Sequence, residues 1–234
     1  MNKFTAAIAF IVAIFLLTCQ CFANDIYIQQ VGDTLDLDIV QDGQNNVIGT
    51  TGQDVILTGA TMTFNITQTG NTNTIAAQIL GSTYTGTWVF TGSNNTVDLK
   101  CSSSTTGDCD NVTLNITGTG STQDYTIKIG EVADASSSEV TFSVTDDGTV
   151  ITTDIDGKSA KVNVIINKNS SVASGNNNLD INLTGDGDVG GHEIQLDTKG
   201  KGNTIVINQS GINDNKVDLH TNGDGGNVNI TQSD

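Results

Sequence analysis

The side chains best placed for recurrent chemistry in this sequence are carboxamides. Gln41, Gly43 and Asn46 stand in the unit Ile39-x-Gln41-x-Gly43-x-x-Asn46-x-Ile48. Gln68, Gly70 and Asn73 hold the same offsets in Ile66-x-Gln68-x-Gly70-x-x-Asn73-x-Ile75. A carboxamide offers N–H donors and a carbonyl acceptor on one planar group. Copies held at a fixed spacing can bond to one another in a row and add a side-chain ladder to the backbone one. The glycine between them suits a tight bend, since it tolerates positive φ. One such unit is ordinary turn composition, so its meaning lies in repetition. Partial copies begin at Ile28-Gln29-Gln30-Val31-Gly32 and at Ile207-Asn208-Gln209-Ser210-Gly211, where Asp214 takes the place of the asparagine. Ile230-Thr231-Gln232 opens one more.

The elements that must carry these amides read as strands. Apolar residues recur with period two in short bursts, such as Leu35-x-Leu37-x-Ile39, Met62-x-Phe64-x-Ile66, Val112-x-Leu114-x-Ile116 and Leu179-x-Ile181-x-Leu183. Alternation of this kind gives each strand one buried and one wet face. Gly, Asn, Asp, Ser and Thr fill the gaps as turn residues. Proline is absent, and proline is excluded from central strands because it lacks the ladder N–H. Bursts spaced 9 to 15 residues apart fit a solenoid, a sandwich or a barrel. Polar turns with repeated chemistry favour an all-β solenoid of stacked strand-turn-strand coils. Coils of about 25 residues would number about eight and form a rod roughly 40 Å long. The alternative is a β-sandwich subunit of the pilin kind.

Composition narrows the partners and the chemistry. The chain has 26 acidic residues against nine basic ones, all lysine. So acidic a surface repels nucleic acid and anionic lipid. Two histidines, His192 and His220, sit in polar turn contexts, and no Gly-x-Ser-x-Gly or similar nucleophile motif is present. No catalytic residues are assigned, and the reading is not an enzyme. Trp88, the single tryptophan, suits coil packing better than a sugar platform. No cofactor or metal ligand is assigned. Thr184–Gly191 and Asn222–Ile230 echo Gly/Asp calcium repeats, but the nonapeptides are not in tandem, which makes solvated turns the plainer reading and calcium the lesser one. Threonine pairs Thr61/Thr63, Thr83/Thr85 and Thr117/Thr119 do not line up at one place per coil, which weighs against an ice-binding face.

Residues 1–23 have the order of a secretory signal peptide: Lys3, an apolar run from Phe4 to Leu17, then Cys21-Phe22-Ala23. The rivals are an uncleaved anchor and, at Leu16-Leu17-Thr18-Cys19, a lipoprotein signal. Export makes a disulfide between Cys101 and Cys109 plausible as a staple across the polar loop between them. The remaining chain divides into a repeat region at 24–99, a divergent region at 100–200 holding the Cys101–Cys109 loop, and a C-terminal repeat region at 201–234.

The repeated unit resembles that of curlins, the subunits of bacterial curli fibres and related biofilm amyloids. Gln41, Gly43 and Asn46 match the centre of the family's Ser-x5-Gln-x-Gly-x2-Asn-x-Ala-x3-Gln unit, as do Gln68, Gly70 and Asn73. Ile48 and Ile75 replace its alanine, and Gln78 falls one place early. The likeness covers residues 28–79 and, more weakly, 203–232. The resemblance implies a secreted, extracellular or cell-surface subunit of a homopolymeric fibre, serving adhesion or biofilm matrix. Its joining edges would be Ile26-Tyr27-Ile28 at one end and Val228, Ile230 and Gln232 at the other. The alternatives are a donor-strand pilus subunit and a monomeric, calcium-stabilised adhesin that meets cell-surface or matrix components.

Overall fold

A computed structural model describes residues 24–50, 52–101, 109–131, 135–167, 175–185, 191–211 and 215–233. The chain runs through β1 (Asn24–Ile26), β2 (Gln29–Val31), β3 (Thr34–Asp42), β4 (Asn45–Ile48), β5 (Val55–Thr58), β6 (Thr61–Thr69), β7 (Thr72–Leu80), β8 (Thr83–Thr91), β9 (Asn94–Cys101) and β10 (Asn111–Thr119). It continues through β11 (Thr122–Ile129), β12 (Ser137–Thr145), β13 (Thr149–Asp156), β14 (Ala160–Ile166), β15 (Asn178–Thr184), β16 (Glu193–Lys199), β17 (Thr204–Ser210), β18 (Lys216–Asn222) and β19 (Asn227–Ser233).

Successive strands fall alternately into two sheets, and every pairing between named strands is parallel. The 8-stranded sheet follows the order β3-β6-β8-β10-β12-β14-β16-β18. The 11-stranded sheet follows β1-β4-β7-β9-β11-β13-β15-β17-β19, with β2 and β5 sharing the levels of β1 and β4. One strand from each sheet makes a coil, and about 7 turns separate β3 from β18. The molecule is a β-solenoid. A sandwich built from antiparallel hairpins is a different connectivity, so that alternative does not describe this chain. Residues in register on adjacent coils lie between 22 and 32 positions apart, a variation absorbed at the corners.

Alternation places the core between the two sheets. In β10, Val112, Leu114 and Ile116 point inward while Asn111, Thr113, Asn115, Thr117 and Thr119 are exposed. The largest side chains interlock between levels. Trp88 is fully buried, meets Phe64 edge-on at 5.7 Å and donates its indole N–H to the Phe64 carbonyl at 2.9 Å. Gly86 sits between Phe64 and Leu114 in the same inward column. A Cβ there would lie 2.3 Å from Tyr84 Oη, so glycine yields the volume that Tyr84 fills.

Both sheets run without interruption across residues 99/100 and 200/201, so the divergent stretch belongs to the same stack. Cys101 closes β9 and is disulfide-bonded to Cys109, with Cα atoms 5.9 Å apart and both side chains fully buried. The loop they join, residues 102–108, lies outside the described residues. Beyond it, the Cys109 N–H donates to the Gly81 carbonyl at 2.7 Å and returns the chain to register for β10. The threonine pairs do line up in part, contrary to the sequence expectation. Thr61 neighbours Thr83, and Thr63 neighbours Thr85, whereas Thr117 falls in the column of Thr67 and Thr119 in that of Thr69.

A bridge spanning a sequence separation of 8 removes chain entropy from the unfolded state. Replacing both cysteines by alanine is expected to cost about 2–3 kcal/mol in urea unfolding, and reducing the native bridge should cost a comparable amount.

Candidate functional site

Among the described residues the space between the two sheets is filled by buried side chains, and the distinctive chemistry lies in buried amide rows and in the two ends. Asn46, Asn73, Asn95 and Gln123 occupy one column at the start of successive strands in the 11-stranded sheet. Asn46 Nδ2 donates to Asn73 Oδ1 at 2.9 Å, Asn73 Nδ2 to Asn95 Oδ1 at 2.7 Å, and Asn95 Nδ2 to Gln123 Oε1 at 2.7 Å. The same amide nitrogens also donate to corner carbonyls, Asn46 to Thr69 at 2.9 Å and Asn73 to Thr91 at 3.2 Å. Higher in the stack Asn177 accepts from the Thr149 N–H at 3.2 Å and donates to Asn203 Oδ1 at 3.0 Å. None of these side chains is more than 4% exposed. Buried amides would cost stability unpaired, and the row pairs most of them, with Asn46 Oδ1 and Gln123 Nε2 buried without a partner at its two ends.

Only Asn46 and Asn73 of this row were singled out from sequence. The signal that finds the others is Gly-x-x-Asn or Gly-x-x-Gln, read at Gly92…Asn95, Gly120…Gln123 and Gly200…Asn203. It runs into the middle of the chain, where the sequence reading held the amide signature to be lost.

A second row is made by glutamines. Gln68 Nε2 donates to Gln41 Oε1 at 2.7 Å, with both residues buried. The next position in that column is Phe90, which ends the row. At the other end Gln232 Nε2 donates to Gln209 Oε1 at 2.9 Å. The two rows occupy opposite corners. Gln41 and Gln68 lie near the ends of strands in the 8-stranded sheet, whereas Gln209 and Gln232 lie near the ends of strands in the 11-stranded sheet. The partial copies of the unit are therefore half a coil out of phase with the full ones, which the flat sequence does not reveal. Gly211 follows Gln209 at its corner, and Asp214 lies outside the described residues.

Gly43 and Gly70 are not among the glycines with positive φ, so the bend does not select them for that reason. Close approach does. A Cβ on Gly70 would lie 2.3 Å from the carbonyl oxygen of Gly43 in the neighbouring coil.

Among the described residues the outer edges of β1, β2 and β3 at one end, and of β18 and β19 at the other, pair with no strand. Inward residues there are incompletely covered. Ile26, Ile28, Leu35 and Leu37 are only partly buried, and Val228 and Ile230 are each 42% exposed. Tyr27 points outward and is 53% exposed.

His192 differs from its sequence reading as a polar turn residue. It is fully buried, its Nδ1 accepts the Ala160 N–H at 3.2 Å, and burial lowers its pKa. His220 is exposed, 3.7 Å from Asp218. Asn222–Ile230 forms the turn from β18 into β19, while residues 186–190 of the other Gly/Asp stretch lie outside the described residues. Among the described residues no three His, Cys, Asp or Glu side chains cluster as a metal site. Asp146 is a buried acid at a corner, 5% exposed. Burial pushes its carboxyl up from 3.8 to about 6, against weaker opposing pulls from the Thr149 hydroxyl and the Gly148 N–H. No protein-family model, curated protein or solved structure matches the chain.

Asn73→Ala removes one member of the row and leaves Asn46 Nδ2 and Asn95 Oδ1 each short of a partner. It should cost about 2–3 kcal/mol in urea unfolding, whereas Asn115→Ala on the wet face should cost under about 0.5 kcal/mol. The folded state holds the Asp146 proton more tightly than the unfolded state, so its contribution is present at low pH and is lost as pH rises from about 4 to about 6. Asp146→Asn should therefore melt higher than the native chain at pH 8, with the difference closing below about pH 4.

Proposed function

We propose that this protein is a secreted structural subunit that assembles with copies of itself into an extracellular fibre for adhesion or biofilm matrix. The observation that carries the reading is the pair of open ends. A solenoid stays monomeric when capping elements cover its terminal strands, because an edge strand is a template for another chain. Among the described residues the first and last levels offer unpaired backbone groups together with partly exposed isoleucine, leucine and valine rows. Burying those rows requires another level, and a second copy of the chain supplies one.

Three further features support this reading. The buried amide rows run parallel to the stacking axis, so they can continue into another copy without new chemistry. The Gln-x-Gly-x-x-Asn units resemble those of curlins, which build fibres. The leader-like residues 1–23 and the buried disulfide suit an exported protein.

The purified chain from Asn24 onward, which contains every described strand, should form filaments with an axial reflection at about 4.7–4.8 Å. A stable monomer at high concentration would reject the reading.

A further inference from the structure

The two ends differ by half a coil, and that difference fixes how copies must meet. The 11-stranded sheet has nine levels, from β1 to β19, while the other sheet has eight strands. Among the described strands the path therefore begins and finishes on the same sheet. If a second copy were added without rotation, β19 of the first could pair with β1 and β2 of the next. The 8-stranded sheet would then miss one strand between β18 and the following β3, leaving Val217 and Leu219 of one copy and Leu35, Leu37 and Ile39 of the next facing a gap. Bringing β18 against β3 instead would force β19 and β1 into one place.

We infer that consecutive copies are related by a half-turn about the stacking axis, so that β19 of one copy pairs with β3 of the next and β18 pairs with β1 and β2. This rests on the fibre reading and adds its geometry. A coil has one strand running out and one running back, so a half-turn superposes the direction of one sheet on that of the other. Every level is then filled in both sheets.

The end strands are matched for this arrangement and for a single register. Aligning their corners places Val228 on Leu37, Ile230 on Ile39 and Gln232 on Gln41. The same offset places Val217 on Ile26, Leu219 on Ile28 and Lys216 on Asp25. Apolar residues meet apolar residues in four columns. Lys216, which already pairs with Glu193 at 2.9 Å, gains a second acid, and along the paired strands no two like charges are opposed, while at the corner between them the exposed Asp224 meets the exposed Asp33.

The glutamine rows also match in this register. In both end pairs the later residue donates to the earlier one, Gln68 to Gln41 and Gln232 to Gln209. Placing Gln41 directly after Gln232 joins them into one row of Gln209, Gln232, Gln41 and Gln68 with a single direction of donation. This explains why Ile-x-Gln pairs cluster near the two ends and are replaced by Phe90, Gly118 and Val144 in between. Gln41 and Gln232 occupy opposite corners, which a half-turn brings together, whereas Gln30 shares the column of Gln209 and Gln232 and would meet Gln232 only in the unrotated register.

Cysteine pairs distinguish the arrangements. Thr231 and Val40 both point outward, and Val40 is 76% exposed. In the chain from Asn24 onward, whose two native cysteines are bonded to each other, T231C mixed with V40C should give disulfide-linked dimers during assembly. Neither variant alone should do so, and T231C mixed with Q29C, the pair of the unrotated register, should give none. Filaments in which T231C links to Q29C rather than V40C would overturn the half-turn and leave the fibre reading standing. Absence of filaments in the unsubstituted chain would overturn both.

Discussion

Every level of this protein depends on a neighbour above and a neighbour below. A parallel strand bonds through both of its edges, and its inward side chains are covered only when flanking strands exist. The same holds for the amides. Asn73 spends one N–H on Asn95, another on the Thr91 carbonyl, and receives a bond from Asn46. Remove a level and backbone groups, apolar residues and carboxamides lose their partners together. The interior levels meet this requirement within one chain. The terminal levels do not, and the proposed function follows from that deficit rather than from any pocket or reactive side chain.

The two kinds of amide row serve different parts of the stack. The asparagine column runs along the body, where Asn95 and Gln123 extend what Asn46 and Asn73 begin. The glutamine rows are confined to the ends, because Phe90, Gly118 and Val144 take over their column inside. Aromatic packing replaces polar pairing there, with Phe90 against Tyr125 at 6.2 Å. An apolar column gains stability from burial without demanding a partner of fixed geometry. A glutamine column demands one, which makes it suited to specifying what stacks on an end.

Much of the fold was legible in the sequence. Period-two bursts, the lack of proline and the recurrent Ile-x-Gln-x-Gly chemistry pointed to stacked coils. Phase was hidden. Gln209 reads like Gln41 in a one-dimensional alignment, yet it turns the opposite corner, because a coil contains two corners with the same chemical needs. The column of Asn95, Gln123 and Asn203 was obscured by coil lengths that vary from 22 to 32 residues, so equal spacing was the wrong ruler. The alignment of Thr61 with Thr83 was missed for the same reason. The selection of Gly70 by a neighbouring carbonyl also needed three dimensions, since positive φ is the commoner reason for a glycine at a bend.

Helical reconstruction of the assembled fibre by electron cryomicroscopy tests the central claim most directly. The account predicts one unbroken run of levels ~4.8 Å apart that crosses the joint between copies, with a rise of about 40 Å per subunit and a half-turn added to the coil's own twist. A joint with a missing strand, a subunit repeat without the half-turn, or copies packed side by side with both ends open would contradict it.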